Sequence, residues 1–207
     1  MPEEKKRVTR RKKTVEFEKE EARIENENAN DVSARQVTIQ GGSVHDIIKA
    51  ESVSINAGGV NSIDAENVQV TSAGIVQANA EEMIVNMGGV VHAEAEEIEV
   101  TQGAIAVAQA ESVELTQGVA SAMLATNVQI EQSIAQNILA RNSVQAEQSL
   151  IGVVASPRVQ IENGFVGMVL AREVHGNIRA MFDVRGALVF GLAAGIVGGL
   201  LARSRRR

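Results

Sequence analysis

The chain has 207 residues, of which 44% are hydrophobic, with four Phe and neither Trp nor Tyr. A core with so few aromatic rings must be thin and built from Val, Ile, Leu and Ala. The absence of Cys excludes disulfide bonds, thiolate catalysis and cysteine-ligated zinc. The formal net charge is −6, but the charges are unevenly distributed along the chain. Both ends are basic and the middle is acidic.

Residues 1–36 begin with a basic block and continue with an acidic stretch from Glu16 to Glu27. No apolar run follows the basic block, so it does not match a secretory signal peptide, and we expect the bulk of the chain to stay in the cytoplasm. This charge density predicts a charged helix or a disordered arm. An alternative is that the block binds anionic lipid. Nucleic acid is disfavoured because side chains that stack on bases are nearly absent.

The middle of the chain repeats every 15 residues. Apolar or small residues recur at six positions of each repeat, spaced 2, 3, 2, 3, 2 and 3, which describes three strands of alternating inward and outward side chains joined by corners. The sequence therefore predicts an all-β fold, a triangular parallel β-solenoid of about nine rungs over residues 37–173. The repeat slips by one residue within the first rung and again near Ser143. The alanine position comprises Ala50, Ala65, Ala80, Ala95, Ala110, Ala125 and Ala140.

Outward positions on the middle side of the predicted triangle are small or apolar and carry no charge. A flat apolar face of this extent is typical of a contact surface, so we expect the solenoid to associate with itself there. The alternative is that a loop or the amino-terminal segment covers the face. The candidate residues are Gly59, Val76, Val91, Ala104, Ala106, Val119 and Ile134.

One corner of the predicted solenoid is acidic, because a glutamate follows the alanine in five successive repeats. Such a ladder of carboxylates is most simply a solvated edge. The sharper hypothesis is that it docks the basic amino-terminal arm or holds loosely bound cations. The ladder comprises Glu51, Glu66, Glu81, Glu96 and Glu111.

The repeat fades after residue 173, and residues 174–185 are expected to form a cap or linker. Residues 186–202 carry no charge and would span about 25 Å as a helix, the short limit for crossing a bilayer. Ala187, Gly191, Gly195 and Gly199 form a row of small residues that lets membrane helices approach closely. We predict a transmembrane or membrane-associated helix, with a buried or interfacial segment as the alternative, followed by a basic tail at 203–207.

A compact Val/Ile/Ala/Gly solenoid between charged termini, paired with a membrane-seeking segment, resembles the bactofilins, β-solenoid polymers of the bacterial cytoskeleton. The resemblance is a pattern over residues 37–173 rather than a specific motif. It implies a protein that polymerises with copies of itself at a membrane.

The chemistry of an enzyme is not evident in the sequence. His45, His92 and His175 stand at no metal-ligand spacing and beside no nucleophile, so each is expected at the surface or at a corner. We therefore expect no catalytic residue, cofactor, metal or small-molecule substrate. The leading hypothesis is a non-enzymatic scaffold that self-assembles, through the flat face or end to end, and is attached to membrane lipid. The alternative is a rigid capped solenoid that binds another protein, lipid or polymer.

Overall fold

The computed structural model describes residues 19–182, which form one parallel sheet wound into a β-solenoid of about ten turns. Every strand pairing is parallel. The strands are β1 Lys19–Val32, β2 Ala34–Thr71, β3 Ala73–Asn79, β4 Glu82–Asn86, β5 Gly89–Glu94, β6 Glu97–Thr101, β7 Ala104–Thr116, β8 Val119–Glu131, β9 Ile134–Glu147, β10 Leu150–Ala155, β11 Arg158–Leu170 and β12 Glu173–Phe182.

Neighbouring rungs pair residues that are 15 apart, as in Gly74 with Gly89 and Val113 with Val128. Each inward side chain therefore stacks on its counterpart in the next rung, and the core is a narrow column of Val, Ile, Leu, Met and Ala. Ile55, Leu115 and Ile130 have no exposed surface. The predicted all-β parallel solenoid is confirmed, and most of its predicted inward positions are buried, although Ala80, Ala95 and Ala110 are half-buried.

One corner of most rungs is turned by a residue with positive φ, although most of these residues are not glycine. A left-handed backbone is unfavourable for an L-residue by about 1–2 kcal/mol, so the corner is held by the pairing of the rungs on either side. These corner residues are Ser72, Met87, Gln102, Gln117, Gln132, Gln148 and Asn163, with φ between 47° and 56°.

The predicted lower boundary of the solenoid at residue 37 is too high. Strand β1 pairs with β2 over eleven positions, and Ala22, Ile24 and Val32 are buried in the core. The predicted arm of residues 1–36 therefore loses its second half to the solenoid, while residues 1–18 lie outside the described part of the chain. The missed signal is that these apolar residues stand 15 positions before Val37, Ile39 and Ile47, among charged neighbours that obscured the repeat.

The upper boundary also extends beyond the prediction. Strand β12 pairs with β11, with a register shift between Ile161 and Gly164, so residues 174–182 continue the solenoid as part of a further rung. The predicted slip near Ser143 is confirmed, since Asn127 pairs with Ser143 rather than with Asn142. The predicted membrane helix at 186–202 and the basic tail at 203–207 lie outside the described residues. No helix long and apolar enough to cross a membrane occurs between residues 19 and 182.

Candidate interaction surface

The middle side of the solenoid presents outward side chains that follow the positive-φ corner in each rung. In β3 these are Gly74 and Val76, on either side of the buried Ile75. Val76 is 50% exposed and Val91, its neighbour in β5, is 53% exposed. The strand alternation thus holds a β-branched apolar side chain in solvent on successive rungs. We call this side of the solenoid, over the rungs from Gly59 to Gly167, the middle face.

A shallow groove of about 980 Å³, open to solvent, lies over the amino-terminal half of the middle face. It reaches from Asn28 in β1 to Val119 and Ser121 in β8, and glycine occupies three of its positions. His45 lines its amino-terminal end. The predicted candidates Gly59, Val76, Val91, Ala104, Ala106 and Val119 all line this groove, and Ile134 follows in the next rung of the same face.

Side-chain size never decreases along one column of the middle face from Gly59 to Phe165. The strand pairings connect its members one rung at a time over seven steps, and the side chain grows from hydrogen to a phenyl ring. Phe165 is 43% exposed at the thick end. We call this the graded column. It consists of Gly59, Gly74, Gly89, Ala104, Val119, Ile134, Leu150 and Phe165.

The candidate residues predicted from the sequence include four members of the graded column and leave out Gly74, Gly89, Leu150 and Phe165. The two glycines carry no side chain that marks a contact. The other two follow the slip at Ser143, and the repeat had to be realigned by one residue before they could be read as outward positions of the same face. The exposed Met168 extends the apolar surface at the carboxy-terminal end, while the exposed Leu139 and Leu170 lie on the adjoining side.

At three positions of the graded column, the packing of the described chain does not require glycine. A Cβ built on Gly74 or Gly89 would have no atom within 4 Å, and one on Gly59 would meet only the Gly74 carbonyl oxygen, at 3.8 Å. By contrast, a Cβ on Gly152 or Gly167 would lie 2.5 Å from a backbone oxygen of the preceding rung. The first three positions would therefore accept a larger side chain. Glycine occupies them even though it destabilises a strand by about 0.5–1 kcal/mol relative to alanine.

The corner that follows the middle face carries the predicted acidic ladder. The amide of Glu81 donates to the carbonyl oxygen of Glu66 at 2.9 Å, and Glu96 donates to Glu81 at 3.0 Å, so the glutamates are stacked directly. All five glutamates are exposed. The Nε of Arg35 lies 3.5 Å from Oε1 of Glu51 at the lower end. The same column continues above Glu111 through Thr126 to Arg141, and both ends of the acidic stretch are therefore basic.

A ladder of glutamine side chains lies at the opposite edge of the middle face and was not predicted. At the positive-φ corner, Nε2 of Gln102 donates to Oε1 of Gln117 at 3.0 Å, and Gln117 donates in the same way to Gln132 at 3.1 Å. Gln132 donates in turn to Gln148 at 3.4 Å. The middle face thus lies between a glutamine ladder and an acidic corner.

The comparisons with known proteins identify no relative. No family model matches the chain, and no curated protein or solved structure is significantly similar to it. The interpretation of the middle face therefore depends on the residues of this chain alone.

The three histidines are far apart on the solenoid. His45 belongs to β2, His92 to β5 and His175 to β12, and His45 and His175 are exposed while His92 is half-buried. Within residues 19–182 no group of three His, Asp or Glu side chains is arranged to hold a metal ion. The small-residue row Ala187, Gly191, Gly195 and Gly199 lies outside the described residues.

Proposed function

We propose that this protein is a non-enzymatic structural scaffold that assembles with copies of itself and is attached to a membrane. One observation carries the assembly part of the proposal, namely the long middle face, on which apolar side chains are held in solvent from Val76 to Phe165.

Exposed apolar surface is removed from water when two such faces meet, and burial contributes about 25 cal/mol for each Å². Flat β-sheet faces pack against each other at about 10 Å, with side chains interdigitating. The middle face is suited to this mode of packing because its outward positions between Gly59 and Gly167 carry no Asp, Glu, Lys or Arg. Like-charge repulsion across the contact is thereby avoided.

The membrane part of the proposal is supported by sequence alone. Residues 186–202 are free of charge and are flanked by Arg185 and by a basic tail. A segment of this length and composition suits a bilayer, and its row of small residues suits close helix packing. Attachment of many copies to one surface would raise their local concentration and favour assembly through the middle face.

The assembly is tested by light scattering on the full-length protein in detergent, over a hundredfold range of concentration. The decisive variant is Ala104→Glu with Ala106→Glu, which introduces two charges at the centre of the face. The control is Gln69→Glu with Thr71→Glu, which introduces two charges at outward positions of another side. We expect the wild type and the control to grow with concentration and the A104E/A106E variant to remain monomeric. Equal behaviour of all three proteins would contradict the proposal.

Negative-stain electron microscopy separates the contributions of the solenoid and of the carboxy-terminal segment. Filaments or regular arrays from both the full-length protein and a variant truncated after Arg185 would support assembly by the solenoid. Order in the full-length protein alone would assign assembly to residues 186–207 and would contradict a role for the middle face. Discrete particles with the size of a single chain at every concentration would instead favour a capped binding module.

A further inference from the structure

We infer that the partner on the middle face is a second copy of this chain in antiparallel orientation, with the thick end of each graded column seated in the groove of the other. This inference depends on the proposed self-association and adds the orientation and the residue pairs that define it. The two copies would be related by a twofold axis perpendicular to the solenoid axis.

The position of the groove determines the orientation. The groove occupies the amino-terminal half of the face and ends at Val119 and Ser121, whereas the bulky Leu150 and Phe165 stand in the other half. In a parallel pair the two grooves would face each other and enclose an empty space, which deprives the lining atoms of their contacts. In an antiparallel pair the thick half of each copy fills the groove of the other.

The glycines at the thin end support the same arrangement. Within the described chain the space above Gly74 and Gly89 is open, so the fold itself does not require glycine there. Glycine inside a strand commonly marks a place where another chain or ligand approaches closely. A register that sets Phe165 of one copy opposite Gly59 of the other also sets Leu150 opposite Gly74 and Ile134 opposite Gly89.

The area of the middle face reaches the size that a specific interface requires. Seven rung steps separate Gly59 from Phe165, which corresponds to about 34 Å at a strand spacing of about 4.8 Å. About five residues across the side give a width of roughly 16 Å. Two such faces would bury on the order of 1,000 Å² in total, the lower limit for a specific interface.

The charges at the edges favour the antiparallel orientation as well. When the twofold axis is perpendicular to the solenoid axis, each edge of the middle face in one copy lies against the same edge of the second copy. The two edges run in opposite directions. The acidic half of the corner in one copy therefore lies opposite the half that carries Arg141 and Arg172 in the other, with the rung of Glu66 facing the rung of Arg172 and the rung of Glu96 facing the rung of Arg141. At the other edge the glutamine ladder is uncharged, and Glu131, Glu147 and Glu162 beside it lie opposite the uncharged half of that edge in the second copy. Opposite charges at the rim of an interface chiefly set orientation rather than affinity.

The orientation is tested by cross-linking, for which a chain without cysteine is well suited. The variant carries both Ser62→Cys and Met168→Cys, which lie in one outward column at opposite ends of the face. Seven rung steps, about 34 Å, prevent a short bis-maleimide from joining them within one copy. The full-length protein in detergent is treated with a linker that spans about 10 Å, the distance between packed sheets. The linked peptides are then identified by mass spectrometry.

We expect intermolecular links between residue 62 of one copy and residue 168 of the other. Links of residue 62 to itself and of residue 168 to itself would overturn the antiparallel orientation and leave self-association intact. A protein that stays monomeric and forms no links would overturn the proposed self-association together with this inference.

A size exchange tests the register. Gly74→Leu should weaken the association at least about tenfold, because the new side chain would collide with Leu150 of the second copy. The fold should tolerate it, since a Cβ at this position has open space. Adding Leu150→Ala in the same chain should restore the affinity to within about threefold of wild type, the coupling expected of residues in contact. Gly74→Leu with Phe165→Ala is the matched control and should not restore it. Restoration by neither pair would overturn the register.

Discussion

The side chains of Gln102 and Gln117 are joined across one turn of the solenoid by a hydrogen bond of 3.0 Å between Nε2 and Oε1. Both residues have positive φ, 54° and 52°, so the ladder lies at the position in the rung where the backbone is least favourable for an L-residue. The amide ladder and the strained corner thus involve the same residues. Substitution by glycine and by alanine separates the contributions of the hydrogen bonds and of the backbone strain to stability.

Gln117→Gly should be more stable than Gln117→Ala by about 1 kcal/mol, because both changes remove the ladder bonds but glycine also relieves the left-handed strain. The matched control is Gln145, an exposed position in β9 without positive φ, where glycine should be less stable than alanine by about 0.5–1 kcal/mol. Urea unfolding of the four variants measures the differences. The same order at both positions would contradict the positive φ at Gln117.

Two glycines should respond in opposite directions to substitution by alanine. Gly74→Ala should leave stability unchanged or raise it by about 0.4–1 kcal/mol, because the Cβ meets nothing and the unfolded chain loses freedom. Gly118→Ala should destabilise by about 1–3 kcal/mol, because its Cβ would lie 2.5 Å from Cδ1 of Leu115 and 2.8 Å from the carbonyl oxygen of Gly103. Thermal unfolding of the two variants measures both effects. Equal effects would show that the two positions do not differ in packing.

The buried Ser133 contributes to stability through its hydroxyl group. Its Oγ donates to the carbonyl oxygen of Glu131 at 2.6 Å and accepts from the amide of Gly118 at 2.9 Å. Ser133→Ala removes the buried acceptor and should destabilise by about 1–3 kcal/mol in urea unfolding. The control Ser112→Ala, at a half-buried position, should stay within about 0.5 kcal/mol of wild type. A Ser133→Ala variant as stable as this control would show that the hydroxyl bonds contribute nothing.

The acidic corner should oppose folding weakly and in a salt-dependent manner. Glu81→Gln removes a carboxylate stacked between Glu66 and Glu96, and it should stabilise by a few tenths of a kcal/mol at low ionic strength. The gain should vanish in about 1 M salt, where the screening length falls to about 3 Å. Glu25→Gln should have the opposite sign, because Oε1 of Glu25 lies 2.6 Å from Nε of Arg23. Unfolding at the two salt concentrations measures both effects, and a gain for Glu81→Gln that survives high salt would exclude charge repulsion as its cause.

The interior of the solenoid could be predicted from the sequence because every inward position repeats at a fixed interval. The columns containing Val53, Ile55 and Val60 are all buried. The first rung escaped prediction because Ala22 and Ile24 carry the repeat among glutamates and asparagines. The high content of charged residues there indicated a solvated arm instead. The last rung escaped because a register shift follows Ile161.

The candidate surface could be predicted only in part. The exposed positions of Val76 and Val91 follow from strand alternation. The gradient from Gly59 to Phe165 appears only when the rungs are aligned in space across the slip at Ser143. The glutamine ladder could not be read from the sequence, because glutamine gives no local signal of a positive φ.

The extra residue near Ser143 is accommodated at a corner, and the rungs above it continue in register with those below. Each rung contacts only its neighbours, so a whole 15-residue unit could be inserted or deleted without disturbing the others. The distance between the two ends would then change in steps of about 4.8 Å. The solenoid is in this sense a molecular ruler whose length is set by counting repeats.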